Sequence, residues 1–394
     1  MIPEYYEFYN PVKIVSGHKA LDNLPYELDQ LGAKRPIIVT DKGVAGAGLV
    51  STVKDAFSDS EMTIGAIFDD TPPDSSIQTV NELVKIYREN KCDSIVAVGG
   101  GSVIDTAKGL NIVITEDADD ITKFMGAEML KKPMKPLIVI PTTSGTGSEV
   151  TLVAVINNPE KQLKMPFTSY HLLPKVAILD TRMTMTMPPK ITAATGMDAL
   201  THAVEAFVCL QKNPISDAHS MVAISLIRDN LINVVKSGND KKARLAMCNA
   251  SCLAGAAFSN SMVGIVHSLG HATGGVCHVP HGVAMSIFLP FGLEYNLEKS
   301  RDLIAELLFP IGGAEVYAAT PKEKRAERAI ELIREIRTEL NTLCGLPMTL
   351  KEAGVDKVKL TDIANTAIND GSMIYNPVDA SYDEALAILE KAYE

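Results

Sequence analysis

DSIVAVGGGSVIDTAKGLNIV, residues 93–113, runs as an apolar β-branched stretch, breaks on three glycines and a serine, and resumes as an amphipathic segment suited to a helix. A strand entering a glycine turn that opens a helix is one unit of an α/β fold. The pattern recurs on both sides. KRPIIVTD (34–41) is a short apolar run ending on Asp41, and KPLIVIPTTSGTGSE (135–149) is another ending on hydroxyls and glycines. SSIQTVNELVKIYRENK (75–91) lies between them with helical periodicity. Continuous apolar strands separated by helices predict a parallel sheet covered on both faces. Ligands of such sheets belong at the carboxyl ends of the strands, where these polar clusters fall.

After PKVAILD (174–180) the character of the chain changes. TAATGMDALTHAVEAFV, SDAHSMVAISLIRDNLINVVK, KKARLAMCNASCLAGAAF and KRAERAIELIREIRTELNTL are long, rich in alanine, leucine and methionine, and alternate poorly. They predict helices. At 394 residues the chain exceeds the reach of one hydrophobic core. Two domains are therefore expected: an α/β nucleotide-binding domain over residues 1–187 and an all-helical domain over 188–394. The boundary is set at Pro188 and Pro189, because proline interrupts what precedes it and favours helix starts.

Composition narrows the function. Forty-eight acidic against 37 basic residues give a net charge of −11, which offers no electrostatic reason for a nucleic-acid partner. No apolar run reaches membrane-spanning length. The six cysteines lack CxxC spacing, and the opening MIPEYYEFYNP has neither a basic start nor an apolar run. A cytoplasmic protein without disulfides is the expectation.

Gly99, Gly100, Gly101 and Ser102 let backbone approach a bound group, and the helix they open presents N–H groups to the charge of a pyrophosphate. The spacing is not the GxGxxG of the dinucleotide fingerprint, so on its own the run reads equally as a tight turn. The second cluster, with Thr142, Thr143 and Thr146, tips the reading toward a nucleotide site. Asp41 is suited to accept the ribose hydroxyls of NAD and to repel a 2′-phosphate, although strand-end aspartates also serve as turn residues.

In the helical half, Asp198 and His202 stand four apart in GMDALTHAVEAF, on one helical face. A carboxylate and an imidazole suit a divalent metal, whereas an isolated pair of this kind is more often a hydrogen-bonded one. MVGIVHSLGHATGGVCHVPHGVAM (262–285) adds His267, His271, His278 and His281, half of the eight histidines of the chain. Spacing alone leaves open which two of these join Asp198 and His202.

These segments together resemble the iron-containing, or group III, alcohol dehydrogenase family. The likeness runs through GGGSVIDTAK, PTTSGTGSEVT, LPKVAILD, GMDALTHAVEAF, NASCLAGAAFSN and the HSLGH to PHG segment, in family order. It implies a dehydroquinate synthase-like architecture, with an α/β nucleotide-binding domain before an all-helical one. By position it implies metal ligands at Asp198, His202, His267 and His281, and a proton-relaying His271 near the nicotinamide. It also implies a pyrophosphate turn at Gly99–Ser102, a second nucleotide loop at Thr142, Thr143 and Thr146, and a nucleotide-contacting Lys164. Aspartate at position 41 accompanies a preference for NAD over NADP in this family. The implied activity is reversible hydride transfer between a small primary alcohol or diol and NAD(H), giving the aldehyde. Fe2+ is the implied metal, Zn2+ suits the same donors, and a homodimer or larger homo-oligomer is the implied assembly.

The sequence departs from the family in several places. Leu152 follows EVT where proline or a polar residue is frequent, KMPFTSY (164–170) is less β-like than usual, and His278 lies outside the core motif. Asn376, in SMIYNPVD (372–379), matches a late Asn-Pro segment, with valine in place of a common arginine. Two alternatives stand beside the main reading. One is a glycerol dehydrogenase-like polyol oxidoreductase, and the other is a nonenzymatic metal- and nucleotide-binding protein on the same scaffold. A synthase acting on a phosphorylated substrate is disfavoured because the motifs carry few basic residues.

Overall fold

The computed structural model describes residues 3–161 and 163–394. The chain divides into two compact units, one over Asn10–Thr186 and one over Met187–Glu394, and the described residues before Asn10 belong with the second.

Among the described residues, the first unit holds nine strands: β1 (Lys13–Gly17), β2 (Pro36–Val39), β3 (Ala66–Phe68), β4 (Ser94–Gly99), β5 (Gly126–Ala127), β6 (Leu137–Pro141), β7 (Val153–Asn158), β8 (Leu163–Thr168) and β9 (Val176–Asp180). Six of them form a sheet in the order β1-β9-β6-β4-β2-β3, and every pairing in it is parallel. The strands read as unbroken apolar runs because both faces are covered. Ile37, Val39, Ile95, Ala97, Leu137 and Val139 point into one core, while Ile38, Val96, Val98, Ile138 and Ile140 point into the other. Period-two alternation thus sorts one run into two cores. The helix Ile77–Glu89 is capped by Ser76, whose hydroxyl accepts from Thr79 N at 3.2 Å.

Two features differ from the sequence reading. β1 is an edge strand paired with β9, Ile14 facing Ala177, and its residues are largely exposed. Its short KIVSG segment carries little burial signal, so pairing rather than pattern makes it a strand. The second feature is a small sheet, β5-β8-β7, in which β7 and β8 are antiparallel. KMPFTSY supplies most of β8, since Met165 and Phe167 alternate into the core beside Ala154 and Ile156.

The second unit is helical. Its main helices are Pro189–Val208, Pro214–Lys236, Lys241–Phe258, Ile265–Cys277, His281–Ala319, Arg325–Cys344, Leu360–Ala367 and Tyr382–Tyr393. Local signals set several of their starts. Pro189 and Pro214 occupy first-turn positions, and capping boxes join Asn213 with Ser216 and Ser381 with Glu384. The long helix from His281 is interrupted at Ser300 and at Gly313, where φ is 81°. The Pro189–Val208 helix is buried almost throughout, which explains why its sequence shows no polar face. Among the described residues, no helix is long and apolar enough to cross a membrane.

Close backbone approach fixes where His281 can sit. A Cβ at Gly282 would lie 2.4 Å from the carbonyl oxygen of Ala194, so glycine alone lets the first turn of the His281 helix rest on the Pro189–Val208 helix. Gly282→Ala is expected to destabilise the metal-free protein by about 1–3 kcal/mol through overpacking. Gly275, exposed and with open space at its Cβ, is the control. There alanine is expected to stabilise by roughly 0.5–1 kcal/mol, since a helical glycine carries that entropic cost. Urea unfolding of the two variants measures both effects.

Candidate functional site

Asp198 and His202 lie one turn apart on the Pro189–Val208 helix, 1% and 4% exposed. The Ile265–Cys277 helix brings His267 beside them, its ring centroid 4.6 Å from that of His202. His281, at the first position of its own helix, approaches Asp198 Oδ1 with Nε2 at 3.2 Å. The ligand atoms these four side chains offer all fall within 4.8 Å of one another. Among the described residues, buried His202 Nδ1 and His267 Nε2 have no hydrogen-bond partner.

Such nitrogens cost about 1–3 kcal/mol each when left unsatisfied, so their convergence on a carboxylate needs a physical reason. Burial holds both imidazoles neutral, His202 and His267 lying well below the ordinary histidine range. Burial also opposes ionisation of Asp198, but the surrounding His202 and His281 rings keep its carboxyl below the usual carboxylate range. One carboxylate and three imidazoles, with ligand atoms within 4.8 Å of one another, fit a divalent cation such as Fe2+ or Zn2+.

Outside this cluster, His271 has its ring 5.6 Å from His267 and 5.4 Å from His281, with Nδ1 3.1 Å from Asp370 Oδ2. Its side chain is 43% exposed, close to the 39% of His281 and unlike the buried His202 and His267. His278 caps the end of its helix in the left-handed conformation, φ 58°, and faces outward. Phe258 stacks on His202 at 4.2 Å. Glu205 was missed by the sequence reading. It is 2% exposed, and its carboxylate accepts from Val266 N at 2.8 Å and His267 N at 3.3 Å and meets His267 Nδ1 at 2.5 Å. The available signal was its position, seven residues after Asp198 and three after His202, on the same helical face.

In the α/β unit, β4 and β6 are neighbours, with Gly99 opposite Pro141, so their two polar clusters emerge side by side. Thr142 N donates to Gly99 O at 3.1 Å. A Cβ at Gly100 would meet Thr143, and one at Gly101 would meet Thr146. The glycines therefore admit the threonine loop as well as leaving backbone open. The helix Gly101–Glu116 starts without a side-chain cap. Ser102 is held locally, its hydroxyl donating to Pro73 O and its carbonyl accepting from Ser75 Oγ. Asp41 caps the short helix Lys42–Gly46, accepting from Val44 N at 2.9 Å, as a turn aspartate does. Lys164, on β8, pairs with Asp74 at 3.2 Å on the surface.

Lys108 also escaped the sequence reading. Fully buried, it donates to Ser148 O, Thr151 O, Thr151 Oγ1 and Val153 O at 2.8–3.1 Å. Asp105, on the same helix, accepts from Ser148 Oγ and Val155 N. Together they tie the segment after the threonine loop to the helix of the glycine turn. Burial pushes Lys108 down to about 8, Asp105 up to about 6 and Glu149 up to about 7. Lys108→Met strands four acceptors and removes the cation beside both acids. A loss of about 3–5 kcal/mol is expected, by analogy with breaking a buried ion pair, and is measurable by urea unfolding at neutral pH.

Comparison with known proteins gives this geometry its setting. Residues 11–181 match the family described as iron-containing alcohol dehydrogenase, and residues 192–393 match the C-terminal region of the Fe-containing alcohol dehydrogenase family. The chain is 36% identical over 389 residues to Alcohol dehydrogenase 4 of Saccharomyces cerevisiae (strain ATCC 204508 / S288c), covering 98% of both. It is 36% identical over 379 residues to the 1,3-propanediol dehydrogenase of Klebsiella pneumoniae, covering 96% of both. A solved 1,3-propanediol oxidoreductase superposes with a TM-score of 0.94 at 35% identity, over 99% of this chain and 100% of that one. These likenesses, together with the Asp/His cluster, identify a metal-dependent oxidoreductase. The chain belongs to the iron-containing alcohol dehydrogenase family.

Proposed function

We propose that this protein catalyses the reversible, NAD-dependent oxidation of a small primary alcohol or diol to the aldehyde, at a divalent metal held by Asp198, His202, His267 and His281. The observation that carries the reading is the convergence of two unpartnered buried imidazole nitrogens, His202 Nδ1 and His267 Nε2, on a buried carboxylate. When bound, the metal supplies a fixed positive charge for the alcohol oxygen, and NAD supplies the acceptor for the hydride.

The residues set the electrostatics of that site. Asp198 contributes the single negative charge, and the three imidazoles, being neutral donors, add none. With a dication bound, these four side chains would leave one net positive charge, which would lower the hydroxyl pKa without a strong protein base. Oxidation would deliver a hydride to bound NAD, and the hydroxyl proton must reach solvent. His271, half-exposed and paired through Nδ1 with Asp370, is suited to relay it. In the α/β unit, the uncapped start of Gly101–Glu116 offers N–H groups to the pyrophosphate. Thr142, Thr143 and Thr146 line the adjacent loop, and Lys164 lies on the neighbouring β8. The carboxylate of Asp41 favours free ribose hydroxyls over a 2′-phosphate. Discrimination by chain length would be modest, since one methylene is worth only about 1–3 kcal/mol in a pocket.

The test is a panel of ethanol, butanol, 1,2-propanediol, 1,3-propanediol and glycerol on enzyme loaded separately with Fe2+ and Zn2+, using NAD and NADP. Turnover of primary alcohols with NAD is expected to exceed turnover with NADP, and no turnover of any alcohol by metal-replete enzyme sinks the reading. His267→Ala is expected to lose bound metal and activity together, whereas His271→Ala keeps its metal and loses rate. A rate loss of about 10²–10⁴-fold fits a proton-transfer group. Metal content of the purified variants, read beside their rates, separates the two roles.

A further inference from the structure

We infer that Glu205 is a positioning residue: it fixes His267 with its proton on Nδ1 and pins the first turn of the His267 helix, so that the Nε2 lone pair faces the cluster. The inference rests on the reading of that cluster as the metal site and adds what prepares it.

Three N–H directions converge on this one carboxylate. Oε1 accepts from Val266 N at 2.8 Å, while Oε2 accepts from His267 N at 3.3 Å and lies 2.5 Å from His267 Nδ1. Glu205 and His267 are both almost fully buried, 2% exposed each. A neutral imidazole has one N–H and one lone pair. Facing an acceptor, Nδ1 carries the proton, and Nε2 is left as the donor atom for a cation. Nε2 is buried and finds no hydrogen-bond partner among the described residues. A carboxylate behind a ligand histidine also raises the basicity of the ring, and such partners influence metal affinity strongly.

The same carboxylate solves a second problem. The helix Ile265–Cys277 starts from Gly264, which offers no side-chain cap. Its opening N–H groups are taken up from distant positions, Ile265 N by Asn376 Oδ1 at 3.1 Å and the next two by Glu205. A Cβ at residue 264 would lie 2.6 Å from Asn376 Oδ1 and 3.2 Å from Glu205 Oε1, so the glycine admits both. Glu205 shares a helical face with Asp198 and His202. One helix thus supplies two of the proposed ligands and the group that orients a third.

Two measurements test this. Glu205→Gln keeps the side-chain volume but replaces one acceptor oxygen with an N–H2 donor. Titrated with Co2+, the variant is expected to bind about 10–100-fold more weakly than wild type, with a changed visible absorption spectrum in the loaded state. The second measurement needs no folded variant at position 205. In metal-free wild-type protein labelled with 15N-histidine, long-range proton–nitrogen correlation reads the His267 tautomer, its signal being identified by its absence in His267→Ala. A proton on Nδ1 is expected. Wild-type cobalt affinity and spectrum in a folded Glu205→Gln variant, or a proton on Nε2 in the wild type, overturns the role of Glu205 while leaving the metal reading intact. Failure of the wild type to take up one Co2+ per chain, or full uptake by His267→Ala, overturns the metal reading instead.

Discussion

Asp198 carries a negative charge into the core of the helical unit, where three imidazoles surround it and water is scarce. An isolated buried carboxylate either protonates or finds a partner. Here burial disfavours the charged form of His202 and His267, and their rings turn toward the carboxylate. Much of the local architecture serves this arrangement. The Pro189–Val208 helix is buried on all sides to bring Asp198 and His202 inward, Gly282 lets the His281 helix start against that helix, and Glu205 ties down the helix of His267. A divalent cation would satisfy the carboxylate and the two orphaned nitrogens together.

The α/β unit answers a different demand. An anionic dinucleotide needs open backbone N–H groups held rigidly, and rigidity there comes from burial on both faces of the sheet and from Lys108. The lysine crosses from the helix of the glycine turn to the carbonyls of Ser148, Thr151 and Val153, with Asp105 bonded to the same stretch. Flexible-looking glycine and threonine clusters are therefore mounted on a fixed frame. This is the preorganisation that positioning a hydride acceptor requires.

Much of this was legible in the residues themselves. The runs IIVT, SIVAVG and LIVIP announced central parallel strands because covering on both faces leaves them uniformly apolar, and the helices of the second half announced themselves by length and composition. Asp198 and His202 were readable as a pair because helical geometry fixes a four-residue spacing. The choice among His267, His271, His278 and His281 was not readable from spacing, since three-dimensional packing decides which rings turn inward; family resemblance supplied it. Glu205 and Lys108 were hidden for a related reason. A glutamate or lysine on a helix normally marks a solvated face, and only the partners brought in from Val266, His267, Ser148 and Thr151 make these two interior. β1 was missed because an edge strand draws its stability from pairing more than from its own pattern.

X-ray absorption at the metal edge of zinc-loaded protein reads the donor set of the metal directly. Binding by Asp198, His202, His267 and His281 predicts a first shell of nitrogen and oxygen alone, at ~2.0–2.2 Å, with the outer-shell scattering of three imidazoles. A sulfur scatterer at about 2.3 Å, or a shell with fewer than three imidazoles, would contradict it.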